Sequence, residues 1–98
     1  MSEPLPNIHP GEILLEEFLK PMGISQYRLA KETGISPMRV SEIVRGKRAV
    51  TADSALRLAR YFGTSVKFWM GLQDDYEVER ARIALADRLE KEVYPLAA

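Results

Sequence analysis

Ser25-Gln-Tyr-Arg-Leu-Ala-Lys-Glu-Thr-Gly34-Ile-Ser-Pro-Met-Arg-Val-Ser-Glu-Ile-Val-Arg-Gly46-Lys-Arg48 carries the punctuation of two short helices joined by a tight turn. Short polar side chains satisfy the free N–H groups of a first helical turn, and glycine tolerates the left-handed residue that follows a last one. Ser25 therefore caps one helix, which ends at Gly34. Ser36 caps the next, with Pro37 at its first position, where a missing N–H costs nothing, and Gly46 ends it. Leu29 and Ala30 face inward, and Ala30 is small enough for the two helices to cross closely. Ile35, Val40 and Ile43 are spaced to pack beneath a following helix. Pro37, Met38, Arg39, Ser41, Glu42 and Arg45 are left on the outside.

The flanks extend this pattern. Upstream, a helix is predicted from Pro10 or Gly11 to about Lys20, with Ile13, Leu14, Phe18 and Leu19 inward and with Pro21 and Gly23 as its stop. Downstream, Thr51 or Asp53 opens a fourth helix whose Ala55, Leu56, Leu58, Ala59 and Phe62 form an apolar face, closed by Gly63. Ser65 starts a last helix that runs to about Val93, because no proline intervenes before Pro95, with a kink expected around Gly71 to Asp75. No sustained period-two alternation marks a strand, and Arg48 to Val50 supply a few extended residues at most. The expectation is an all-α chain of five helices: an N-terminal extension at 1–9, a folded domain at 10–72 and a helical tail at 73–98.

Composition narrows the function. At 98 residues the chain buries a single core, and 46% hydrophobic with 29% charged residues is ordinary for a folded protein. The absence of cysteine removes disulfides, thiolate nucleophiles and cysteine-based metal sites. No apolar stretch approaches the roughly 20 residues that cross a bilayer, and the Pro-rich start is unlike a signal peptide, so a cytoplasmic protein is expected, with no membrane partner. His9 is the sole histidine, which leaves Ser–His–Asp and paired-histidine metal chemistry without raw material. His9 with Glu12 offers too few metal ligands, and Asn7 to Gly11 reads as a helix entry. Glu16-Glu17 and Asp74-Asp75 are adjacent pairs that point apart on a helix rather than converging for acid–base work. No enzyme, metal or cofactor is expected.

Net charge is zero, with 14 basic and 14 acidic residues, but the charges are segregated. Between Ser25 and Val50 six basic residues (Arg28, Lys31, Arg39, Arg45, Lys47, Arg48) face two acidic ones, Glu32 and Glu42. An acidic N-terminal segment and an acidic tail flank this basic centre, so one face attracts phosphate while others repel it. Arg45, Lys47 and Arg48, around the Gly46 stop, suit phosphate clamps that set register without reading sequence. Arg39 has the fork for a bidentate contact to guanine O6 and N7, and Met38 suits a thymine methyl. Glu42 has two readings: it accepts from a cytosine amine, or it neutralises Arg39 or Arg45. Val66, Phe68, Trp69, Met70 and Leu72 gather large apolar groups after the fourth helix, as a dimer surface or, for Phe68 and Trp69, as ordinary core.

The central segment resembles the lambda-repressor-like, XRE-type helix-turn-helix of phage repressors, and its flanks resemble the HigA-type antitoxin branch. The flanks concerned are His9-Pro-Gly-Glu-Ile-Leu, Arg45-Gly-Lys-Arg, Thr51-Ala-Asp-Ser-Ala-Leu-Arg-Leu-Ala-Arg-Tyr-Phe-Gly-Thr-Ser and Phe68-Trp-Met-Gly-Leu-Gln-Asp-Asp-Tyr, which with the centre cover roughly Ile8 to Tyr76. The resemblance implies that Gln26 and the start of its helix hold a phosphate, with Tyr27 beside it. It also puts Ser36, Pro37, Met38, Arg39, Ser41 and Glu42 against base edges or adjacent phosphates. It implies a nucleoid-associated homodimer on a palindromic operator, with recognition helices about 34 Å apart. Its partner would be a small basic toxin, a RelE-like mRNA-cleaving ribonuclease, neutralised by the antitoxin that silences their shared operon. Two other expectations stand beside it: a stand-alone regulator without a toxin, and a protein-interaction module that has abandoned DNA.

Overall fold

The computed structural model describes residues 7–97, and residues 1–6 of the expected N-terminal extension lie outside that range. The described residues are helical, with no strand among them. The first helix, α1, comprises Pro10–Ile13, a wider π-helical stretch Leu14–Leu19, and Lys20–Met22. His9 caps it: the Nδ1 atom accepts the Gly11 N–H at 2.8 Å, and Pro10 takes the position where no N–H is needed. Bonding at i to i+5 stacks residues five apart, which turns both Leu14 and Leu19 into the core. Of the two expected stops, Pro21 and Gly23, the helix passes the first and ends at the second, whose φ is +65°. Lys20 donates back to Leu15, the bonding leaves α register just before the residue that cannot donate, and the helix carries on to Met22.

The next two helices, α2 (Gln26–Thr33) and α3 (Pro37–Val44), begin at Ser25 and Ser36, whose hydroxyls accept the Arg28 and Arg39 N–H groups at 3.0 and 3.2 Å. Gly34, at φ +79°, makes the turn between them. Helix α4 (Ala52–Phe62) is capped by Thr51. It buries Ala55, Leu58 and Ala59 and half-buries Phe62, but Leu56, expected on the apolar face, is 58% exposed because it sits a third of a turn off that face. Helix α5 (Val66–Leu85) continues unbroken through Gly71 to Asp75. The interruption comes instead at Ala86, whose φ of +42° ends the ladder before the short α6 (Arg88–Glu92).

One core joins α1 to the first half of α5. Leu14, Leu19, Leu29, Ile35, Val40, Ile43, Val50, Leu58 and Trp69 are all buried in it. The start of α1 crosses the end of α3 so closely that a Cβ on Gly11 would lie 1.7 Å from the Ile43 carbonyl oxygen, so only glycine allows this crossing. Extents of 52 × 32 × 22 Å and a radius of gyration of 16.6 Å exceed the roughly 13 Å of a compact chain this size. The excess is the second half of α5 together with α6, which project from the body.

Candidate nucleic-acid interface

The turn at Gly34 presents α3 on the surface with α2 braced behind it. Val40 and Ile43 hold its inner side in the core, which leaves Ser36, Pro37 and Met38 exposed, Met38 at 69%, and Ser41 and Glu42 half-buried. Arg45, Lys47 and Arg48 follow on exposed chain, and Gln26 and Tyr27 are exposed at the start of α2. There the first helical N–H groups lack partners inside the helix, and the helix dipole favours an anion. A polar and basic surface thus forms from residues 22 positions apart, Gln26 to Arg48, and its parts are held by separate helices.

Two side chains are placed otherwise than the sequence led us to expect. Arg39 does not hang free over the surface: its side chain is 31% exposed, and its Nη2 donates to Asp53 Oδ1 at 2.8 Å and to Ser54 Oγ at 3.1 Å. Glu42 accepts from Arg48 Nε at 2.7 Å, not from Arg39 or Arg45, because the chain folds back after Gly46 and brings Arg48 alongside α3. Glu42 is thereby partly neutralised, which removes much of the repulsion a lone carboxylate would offer to phosphate.

The supports of this surface include residues that sequence reasoning did not single out. Arg57 Nε donates to Asp53 Oδ1 at 2.9 Å and its Nη1 to the Thr33 carbonyl at 3.0 Å, so α4 grips the end of α2 and the start of α3 together. Hydrogen bonds from Arg39, then from Arg57, hold the Asp53 carboxyl below its ordinary pKa. The hydroxyl of Tyr61 donates to Glu32, which also accepts from Arg28, and the Tyr61 bond is the main reason that the Glu32 carboxyl is held low. Gln73 is buried and its Oε1 accepts the Val50 N–H at 2.8 Å, tying the loop before α4 to α5. Asp53 and Arg57 show the i, i+4 spacing of a helical ion pair, which is a legible signal; nothing in the chain's pattern marks Gln73.

His9 serves the fold. Its ring packs edge-on against Tyr76 at 4.8 Å, and desolvation is the main cause that lowers its pKa below the usual value. Among the described residues no three His, Cys, Asp or Glu side chains cluster to hold a metal. Of the residues expected at a dimer surface, Trp69 is fully buried in the chain's own core, its Nε1 donating to Thr64 Oγ1 at 2.7 Å and its ring packed on Phe18, Phe62 and Phe68. It has no face left for a second chain. Val66, Met70 and Leu72 are half-buried, and Phe68 is 39% exposed.

A helix-turn-helix family profile matches residues 15–69, from within α1 to Trp69. Virulence-associated protein I of Dichelobacter nodosus is 54% identical over 77 residues, 79% of this chain and 71% of that protein. Antitoxin HigA-1 of Vibrio cholerae is 40% identical over 63 residues, 64% of this chain and 59% of that protein. Among solved structures, the Pseudomonas aeruginosa antitoxin HigA with higBA promoter aligns with a TM-score of 0.91 and 46% identity over 94% of this chain and 100% of that one.

Proposed function

Because the chain belongs to the helix-turn-helix family, in its HigA-type branch, we propose that it is an antitoxin that represses its own operon by inserting α3 into the major groove of an operator. The observation that carries this is the outward side of α3, where Pro37 and Met38 are exposed and Ser41 half-buried, with Arg45, Lys47 and Arg48 exposed beside them; on this reading the first three meet the bases and the last three the phosphates. Gln26 and Tyr27, at the start of α2, hold a further phosphate. Affinity for the DNA upstream of the chain's own reading frame should fall steeply with salt, and Arg45→Ala or Lys47→Ala should each lower the slope of log K against log salt by about one. A slope that is flat, or unmoved by both substitutions, overturns this reading.

One recognition helix contacts too little surface for specific affinity, so the working form is a homodimer on a palindromic site. With Trp69 withdrawn into the core, we place the contact further along α5. Val78, Ala81 and Leu85, spaced three and four residues apart on α5, line one apolar hollow with Arg82 and with Leu89 of α6, a surface for a second copy to cover. Sedimentation of the full chain should give a dimer.

The toxin is a small basic RelE-like ribonuclease held by an acidic surface, either Glu12, Glu16 and Glu17 on α1 or the tail. Co-expression with the protein encoded by a short adjacent reading frame should yield a complex and relieve growth arrest. Growth arrest that persists despite co-expression removes the toxin from this proposal and leaves a nucleoid-associated regulator. Among the described residues, no helix is long and apolar enough to cross a membrane.

A further inference from the structure

We infer that Arg39 is a positioning residue: Asp53 and Ser54 lock it to the start of α4, and the lock sets the angle at which α3 is presented, so selectivity for one DNA sequence depends on Arg39 without Arg39 touching a base. This rests on the DNA-binding reading above. The guanidinium gives its Nη2 to two acceptors at once, Asp53 Oδ1 at 2.8 Å and Ser54 Oγ at 3.1 Å. Ser54 is 1% exposed and so is itself fixed. The Nε of Arg39 is buried without a partner, which means that this edge of the fork is turned into the protein. A bidentate guanine contact needs two donors of that fork on the outside.

Asp53 does not act alone. Arg57 holds the same carboxylate oxygen at 2.9 Å and reaches the Thr33 carbonyl at 3.0 Å. The run Thr33–Arg57–Asp53–Arg39 therefore connects the end of α2, the first turn of α4 and the first turn of α3 through charge-assisted bonds, the stronger class of hydrogen bond. Arg39 is the third residue of α3, so the lock bears on the end of the helix that enters the groove. Base contacts tolerate displacements of only about half an ångström, and a helix set at the wrong angle loses several of them together. Arg39 and Arg57 also neutralise Asp53, a carboxylate that would otherwise repel phosphate beside the recognition helix.

The test uses the full chain and three kinds of duplex. These are the stretch protected in a footprint upstream of the chain's own reading frame, the same stretch with each base pair exchanged in turn, and an unrelated duplex of equal length. The readout is the ratio of affinities for protected and unrelated DNA, because Asp53→Asn removes a negative charge and raises affinity for both. Arg39→Met, Asp53→Asn and the double variant should each lower the ratio by about tenfold, with the double no lower than the worse single, as coupled neighbours behave. The loss should spread over several base pairs. If Arg39→Met loses discrimination at one base pair while Asp53→Asn keeps or raises the ratio, Arg39 reads that base and the inference is overturned. Should those variants fail to fold by circular dichroism, Ser54→Ala removes only the Arg39 bond to the Ser54 hydroxyl and a longer one from Thr51 Oγ1 at 3.4 Å: a several-fold drop with the same spread supports the lock, and an unchanged ratio sinks it. Absence of DNA binding by the unmodified chain overturns the underlying reading and the lock with it.

Discussion

The two halves of α5 share one unbroken hydrogen-bond ladder and almost nothing else. From Val66 to Gln73 the helix inserts Trp69 into an aromatic cluster with Phe18 and Phe62 and lends its glutamine to the Val50 N–H. From Asp74 onward none of the described residues is buried, and Ile83 stands 64% exposed. The ladder persists because Glu, Arg, Ala and Leu are good helix formers and because pairs such as Arg82–Glu79, at 2.6 Å, support it locally. Burial is decided by what lies opposite. The first half has α1 and α4 across from it, whereas past Tyr76 the second half meets little of its own chain.

Truncating the buried end should have the largest effect. Trp69→Ala should cost about 3–5 kcal/mol, since it empties the centre of the aromatic cluster and strands the Thr64 hydroxyl. For a domain of this size that lowers the midpoint of thermal unfolding by at least about 12 °C. Ile83→Ala, in the exposed half, should leave the monomer's unfolding unchanged in the same experiment. Equal shifts for the two would erase the contrast between the halves.

Gln73→Leu comes next. It keeps the volume but removes the acceptor of a buried N–H, at a cost of about 1–3 kcal/mol in denaturant unfolding. A neutral outcome would mean that water replaces the glutamine and that α5 does not tie down the Val50 loop.

A smaller effect is expected at the other contact of α5, where Tyr76 packs on His9. Burial lowers the His9 pKa, so the folded state prefers the neutral ring whose Nδ1 accepts the Gly11 N–H. Its contribution to stability is complete above the unfolded value of about 6.5 and is lost as pH falls through the lower folded value. Stability should therefore decline from neutral pH toward pH 5, and His9→Asn, which does not titrate there, should flatten that decline. An identical slope in both proteins would place the acid sensitivity elsewhere.

The smallest effect on the fold belongs to the tail. Val78→Lys with Leu89→Lys should change monomer stability by about 0.5 kcal/mol or less, as surface substitutions do. The same pair should convert the dimer to a monomer in sedimentation. A dimer that survives both lysines would move the contact back toward Phe68.

Much of the architecture was legible because capping and turn chemistry are local. Ser25, Ser36, Thr51 and Ser65 each accept an N–H from their own first turn, and Gly34 and Gly63 adopt the left-handed conformation that a helix end requires. The outward set on α3 also followed from period alone, once Val40 and Ile43 were assigned to the core. What misled was proximity between residues distant in the chain. Arg39 meets Asp53 fourteen residues on, and Glu42 meets Arg48 across the Gly46 turn, where helical spacing pointed to Arg39 or Arg45. Trp69 is expected at a dimer surface and lies instead in the core, because apolar character is the same in both and does not separate them.

By itself, then, the order of residues determined which segments are helical, where most of them start and stop, and which side of α3 is polar, because each depends on groups within about one turn of one another. Only the tertiary structure decided the fate of Arg39, the depth of Trp69, the π-helical stretch ahead of Pro21 and the bareness of the far end of α5. Each of these is set by what another segment places within a few ångströms, and the path of the chain in space, not its spacing in sequence, brings that segment there.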